Sequence, residues 1–207
     1  MWDVENDAVL RTFAGHSHPV SSVAFSPDGL QLASGSSDYT ILVWHIDGGN
    51  ILPLCSNRDY VLNGRILSVV WAPDGQQLVS AAWDRTVKFW DSSDGGQIGQ
   101  SCTGHTSDSI YSLAIACDGS FIATASYDKT VRLWCTRTHQ PIGKALEHAK
   151  PVYCVAISPN GELLISGDKN GKVQLWSIKD MIKEFNLDLT LAEQQRLVFN
   201  VAVGSYF

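Results

Sequence analysis

Long apolar runs, paired cysteines and clustered positive charge are all missing from this 207-residue chain. Without a stretch of about 20 apolar residues nothing reads as a transmembrane helix. Residues 1–20 carry neither the basic nor the apolar region of a secretion signal. The five cysteines are odd in number and form no CxxC pair, so neither a metal site nor a disulfide framework is expected. Three of them stand where the chain's own repeats have other residues: Cys117 for Pro27, Cys135 for Asp91 and Cys154 for Ser22. That usage suits packing thiols in a reducing compartment, and cytoplasmic placement is expected, with the nucleus compatible. Charged residues make up only 17% and the net charge is -6, which argues against nucleic acid, since phosphate binding needs clustered Lys and Arg. No phosphate-cradling GxxxxGK[ST], no GxGxxG after a strand and no HExxH occurs, so no cofactor is expected. Gly48-Gly49 and Gly95-Gly96 read as loops between strands.

What the chain does have is repetition. One 23-residue frame recurs four times without insertion or deletion, at Ser22–Trp44, Ser68–Trp90, Ser112–Trp134 and Cys154–Trp176. A fixed period of this kind is the signature of a repeat architecture. Each frame opens on period-two apolar alternation (SVAFSPDG, SVVWAPDG, SLAIACDG, CVAISPNG), which is strand patterning followed by a glycine-bearing tight turn. A second strand follows (QLASGSS, QLVSAAW, FIATASY, LLISGDK), then a short turn and a third (TILVW, TVKFW, TVRLW, KVQLW). A looser fourth strand is expected near Leu52–Ser56, Ile98–Thr103 and Ile142–Glu147. The fold class is therefore all-β: a four-stranded meander, repeated.

In Gly15-His16 and Gly104-His105 ahead of a frame, and in Trp2-Asp3 and Trp90-Asp91 at third-strand ends, the chain resembles the WD40 family of β-propellers. The resemblance covers roughly residues 2 to 178. Trp44, Trp134 and Trp176 lack the following Asp, Glu147-His148 replaces Gly-His, and the second repeat has no histidine. It implies a propeller region at 1–178, with blades at about 20–56, 66–103, 110–147 and 152–178, residues 8–14 as a closing strand, and a helical tail at 179–207. Four blades would turn about 90° each, against about 51° in a seven-bladed ring, so an open arc or an oligomer-completed ring is expected. The chain is also readable as part of a larger propeller protein. In the tail, Thr190-Leu-Ala-Glu193 is a capping box opening a helix through Phe199, and Met181–Phe185 forms a further helical turn.

Each frame places a Ser or Thr four residues before a turn acid and a Trp six after it: Ser34/Asp38/Trp44, Ser80/Asp84/Trp90, Thr124/Asp128/Trp134 and Ser166/Asn170/Trp176. His16, His105 and His148 complete three of these sets. Ser, His and Asp together resemble a hydrolase triad. A propeller-based hydrolase is nevertheless the weakest reading, because an active site is normally made once and these sets recur. The resemblance implies a bracing network instead, in which an indole N–H donates to a hydroxyl, the hydroxyl to an imidazole, and the imidazole to a carboxylate. With Asn170 for the acid and no histidine in the second repeat, the fourth and second blades are expected to be softer.

The family's docking face implies three exposed sites per blade: Pro19, Ser21 and Ser37, then Arg65, Leu67 and Trp83, then Ser109, Tyr111 and Tyr127, then Pro151, Tyr153 and Lys169. Of these, Arg65, Leu67, Trp83, Tyr111, Tyr127, Tyr153 and Lys169 form the expected protein-binding set, since aromatics and Arg are enriched at interface hot spots. The implied function is a non-enzymatic scaffold that displays an aromatic face to proteins or peptides. The rival is an adaptor or sensor region of a larger signalling or ubiquitin-ligase protein. Self-association to complete a ring is expected, and membrane binding is not.

Overall fold

The computed structural model describes residues 2–3, 8–47, 51–54, 64–107 and 109–186. Two short strands come first, β1 (Trp2–Asp3) and β2 (Ala8–Val9), paired antiparallel to each other. The 8–14 segment, expected as a closing strand, is thus strand only at Ala8–Val9. Four meandering antiparallel sheets follow. The first contains β3 (Val20–Phe25), β4 (Gln31–Ser36), β5 (Ile41–His45) and β6 (Ile51–Leu54). The second contains β7 (Ile66–Trp71), β8 (Gln77–Ala82), β9 (Val87–Asp91) and β10 (Gln97–Cys102). The third contains β11 (Ile110–Ile115), β12 (Phe121–Ser126), β13 (Thr130–Cys135) and β14 (Pro141–Glu147). The fourth, three-stranded among the described residues, contains β15 (Val152–Ile157), β16 (Leu163–Asp168) and β17 (Val173–Ser177). Each sheet is a propeller-type blade of the expected kind.

Turn chemistry sets the repeat. Between the first and second strands of every blade a glycine takes positive φ: Gly29 at 71°, Gly75 at 72°, Gly119 at 73° and Gly161 at 70°. Only glycine adopts that geometry without a Cβ penalty, which is why the sequence reads D-G or N-G there each time. The turn between second and third strands also needs a left-handed residue. Here the first three blades use Tyr39, Arg85 and Lys129, at φ of 69–70°, and the fourth uses Gly171 at 78°. For a side-chain-bearing residue such a φ costs about 1–2 kcal/mol, so these turns must be held by something else.

The chain divides into two compact units, Met1–Tyr111 and Ser112–Phe207. In the first, Ile66, Val69 and Trp71 of β7 pack with Ala33, Ile41 and Val43 of the preceding blade. The approach is close: a side chain at Gly35 would run into Ile66 and Val69. In the second, Val152 and Val155 of β15 pack with Ala123, Val131 and Leu133 of the preceding blade. A helix over residues 179–186 adds Met181, Ile182 and Phe185 to the same core. The capping box at Thr190–Glu193, the helix expected through Phe199 and Gly48-Gly49 lie outside the described residues. Of the cysteines, Cys102 and Cys135 are buried as packing thiols should be. Cys117, in a hairpin turn, and Cys154, on β15, are exposed, so the packing reading does not extend to them.

Candidate functional site

Strand register explains the recurring Ser/Thr–Trp pair. Trp44, Trp90, Trp134 and Trp176 stand opposite Leu32, Leu78, Ile122 and Leu164. The hydroxyl residue lies two places further along the second strand, and with a period of two it shares the indole's face. Each indole N–H accordingly donates to its hydroxyl: Trp44 to Ser34 at 2.8 Å, Trp90 to Ser80 at 2.8 Å, Trp134 to Thr124 at 2.9 Å and Trp176 to Ser166 at 2.8 Å.

In the first blade the chain of bonds runs to its end. Ser34 Oγ lies 2.8 Å from His16 Nε2, and His16 Nδ1 lies 2.9 Å from Asp38 Oδ2. Because the Asp38 carboxylate only accepts, Nδ1–H donates to it, and in the neutral ring Nε2 then accepts the Ser34 hydroxyl hydrogen. Gly15 precedes this histidine because the Trp44 ring crowds it: a Cβ there would lie 2.8 Å from the indole. Burial alone would raise the Asp38 pKa. Donors from the Thr40 hydroxyl, the Ser17 N–H, His16 and the Thr40 N–H outweigh burial and hold the carboxyl far below its ordinary range. The same oxygens clamp the strained turn, since Asp38 Oδ1 accepts from Thr40 N–H at 3.0 Å one residue beyond Tyr39.

The second and third blades repeat the clamp. Asp84 Oδ1 takes the N–H and hydroxyl of Thr86, and Asp128 Oδ1 takes those of Thr130. In the second blade Gly64 abuts the turn, where a Cβ would lie 2.6 Å from the Asp84 nitrogen. His105 is buried.

The fourth blade departs from expectation in its acid. Asn170 is exposed and does not face the histidine; Asp168, two residues upstream, does. Its Oδ1 accepts from Asn170 N–H at 2.9 Å and Lys172 N–H at 3.0 Å. These are the bonds made in the first blade by Ser36 Oγ to Asp38 N–H and by Asp38 to Thr40 N–H. One carboxylate therefore does the work of two residues. Its other oxygen lies 3.9 Å from His148 Nδ1, too long for a hydrogen bond, and that buried nitrogen has no partner. Burial pushes the His148 pKa down, more than the nearby Asp168 charge pushes it up. Burial would raise Asp168, but the Lys172 and Asn170 N–H donors and the charges of His148 and Lys172 leave it lowered. Sequence reasoning missed Asp168 because it assumed that the acid keeps its place in the frame. The signal was Gly171, which changes what the turn requires.

As chemistry, these sets are braces. Ser34 and Ser166 are buried, and each oxygen is occupied by an indole N–H and an imidazole nitrogen. A nucleophile needs an oxygen open to substrate.

The expected binding residues lie at the loop end above these braces. The first and third sites of a blade are cross-strand neighbours: the N–H of Ser37, Trp83 and Lys169 donates to the carbonyl of Pro19, Arg65 and Pro151 at 2.8–2.9 Å. Sites Ser21, Leu67 and Tyr153 fall within a register shift of the first strand, at Val20/Ser22, Ile66/Ser68 and Val152/Cys154. An extra residue there re-aims its side chain out of the ladder. Trp83, Tyr127 and Tyr153 are 44%, 46% and 41% exposed, and the Arg65 guanidinium carbon stacks 4.7 Å from the Trp83 ring centroid. Arg65 and Lys169 are exposed, whereas Leu67 and Tyr111 are half-buried. Ser109 and Pro151 are buried, which corrects the expectation that all three sites per blade face solvent. The first blade, expected to lack an aromatic here, carries exposed Tyr39 at its turn.

The family model for "WD domain, G-beta repeat" matches residues 8–45, 57–91, 96–135 and 140–177. The chain belongs to the WD40 repeat family. WD40 repeats typically mediate protein interactions. The chain is similar to the Schizosaccharomyces pombe periodic tryptophan protein 2 homolog, with 50% identity over 46 residues, 22% of this chain and 5% of that protein. It is similar to the Xenopus tropicalis U3 small nucleolar RNA-associated protein 15 homolog, with 38% identity over 65 residues, 31% of this chain and 13% of that one. It is also similar to the rat apoptotic protease-activating factor 1, with 30% identity over 178 residues, 86% of this chain but 14% of the relative. This WD40 chain thus spans only a small part of the length of these relatives.

Proposed function

We propose that this WD40 chain is a non-enzymatic protein-interaction scaffold whose partners seat on the loop ends bearing Trp83 in the first unit and Tyr127 and Tyr153 in the second. The observation that carries the reading is the exposure of Trp83 and Tyr127 at turns clamped by Asp84 and Asp128, and of Tyr153 at the register shift of β15. A ring on a rigid turn offers wide contact area with little entropy to lose on binding. Arg65 over Trp83 adds the other residue type common at hot spots. Trp83→Ala and Tyr127→Ala should each weaken capture of a cellular partner by more than about 1 kcal/mol, with circular dichroism unchanged. Ser37→Ala, at the matching turn of the first blade, should do much less. If both ring variants fold and keep every partner of the parent chain, the rings serve packing alone.

A second reading, as the adaptor or sensor region of a larger protein, is favoured by the alignment to the rat relative, which runs along most of this chain but little of that one. An effector region in the full-length transcript would support it. A cytoplasmic site of action fits both readings, and a nuclear one fits the relative named for association with a small nucleolar RNA.

A further inference from the structure

Among the described residues the second unit gathers unpaired positive charge at one end. Lys129, Lys150, Lys169 and Lys172 are all exposed, and none forms an ion pair. Backbone bonds hold three of these segments together. His148 N–H donates to the Lys129 carbonyl at 2.8 Å, and Lys169 N–H to the Pro151 carbonyl at 2.8 Å. The Lys129 turn, the 148–151 loop and the Lys169 turn are thus stitched into one surface, flanked by exposed Tyr127 and Tyr153.

The carboxylates in the same loops are held by their own turns. Asp128 is committed to Thr130 through two hydrogen bonds. Asp168 is buried, bonded to two backbone N–H groups and turned toward His148. Glu147, opposite Thr130 on the outer strand, is the exposed acid nearest in sequence. Bonds from neutral donors leave both carboxylates charged but hold them inward, so on a chain whose net charge is -6 this end presents four exposed ammonium groups to a partner.

We infer that this end of the second unit docks an acidic, Asp/Glu-rich segment of a partner protein, the lysines meeting its carboxylates and the two tyrosines its apolar side chains. The inference rests on the scaffold reading above and gives it a partner chemistry. Complementary potential at exposed sites acts mainly on association and specificity, so binding is strongest at low salt. Nucleic acid fits less well, since four lysines on an acidic chain are a short phosphate track.

The test is fluorescence anisotropy with the full chain and three labelled probes: a 12-residue Glu/Asp-rich peptide with one central Phe, its Gln/Asn counterpart, and a 12-nucleotide oligothymidylate. The acidic peptide should bind about tenfold more tightly than the neutral one at low salt and lose that margin at high salt. Lys129→Glu combined with Lys169→Glu should weaken it about tenfold, while Lys144→Glu with Lys183→Glu leaves it unchanged. Circular dichroism checks that each variant folds. Equal affinity for the neutral peptide overturns the inference, as does tighter binding of the oligonucleotide. If Tyr127→Ala and Tyr153→Ala abolish binding but the lysine reversals do not, the docking face stands and its acidic chemistry falls. If neither set weakens binding, the face itself falls.

Discussion

At the scale of single residues, the fourth brace shows how a carboxylate can move within a repeat. A left-handed non-glycine needs its turn clamped from the adjacent Asp; Gly171 relaxes that demand, and Asp168 clamps the turn from two residues upstream. Asp168→Ala should therefore cost about 2 kcal/mol of stability, because two turn N–H groups lose their shared acceptor, whereas Asn170→Ala should cost less than about 0.5 kcal/mol. Urea denaturation of the two variants decides between the positions. The His148 pKa lies below its ordinary 6.5, so the unfolded chain takes up that proton first as pH falls. Its contribution to stability is whole above pH 6.5 and is lost as pH falls from there toward the folded value. Asp38 and Asp168, both held below their ordinary 3.8, add stability that is present above that value and lost as pH falls through their folded values. Acid denaturation should begin near pH 6.5, and His148→Gln should remove that first stage while leaving the second.

At the scale of elements, the helix over residues 179–186 belongs energetically to the second unit. Met181 lies against Gly143, where a Cβ would come within 2.5 Å of its Cγ, and Phe185 joins the core between the third and fourth blades. Exposed Lys183 and Glu184 occupy the other side of the helix. Phe185→Asp should lower stability by about 2 kcal/mol, through lost burial and a misplaced charge, while Lys183→Asp should leave it within about 0.5 kcal/mol. Equal urea midpoints for Phe185→Asp and the parent would detach the helix from the core. The helix is an element that the blade period does not encode, which is why the sequence could show its apolar residues but not what they cover.

At the scale of the whole molecule, the two faces that blades present to each other are unequally used. Val23 and Phe25 of β3 are 62% and 57% exposed, although their equivalents Val69 and Trp71 are buried. Val173 and Leu175 of β17 are 68% and 67% exposed, while their equivalents Ile41, Val43, Val131 and Leu133 are at or near zero. These are the two complementary halves of the blade–blade contact seen inside each unit. A second copy of the chain carries both, so we expect the isolated polypeptide to associate through them, the gain being about 1.5–3 kcal/mol for each such side chain fully covered. Light scattering after gel filtration should show mass rising with concentration, and Phe25→Glu or Val173→Glu should suppress the rise. A concentration-independent monomer would show that the chain covers these faces by itself.

The sequence by itself determined the local terms. Strand alternation, the left-handed glycine turns and the Ser/Thr–Trp register all follow from contacts within about 20 residues, so a four-fold repeat displays them plainly in Leu32, Ser34, Asp38 and Trp44 and in their counterparts. Tertiary structure decided whatever depends on which oxygen reaches which nitrogen across a loop. It put Asp168 rather than Asn170 before His148, aimed Tyr153 outward by a register shift, and covered Ser109 and Pro151 while leaving Trp83 open. It also decided which copies of an identical apolar pattern are buried, because burial belongs to a pair of faces and a repeat states only one of them at a time.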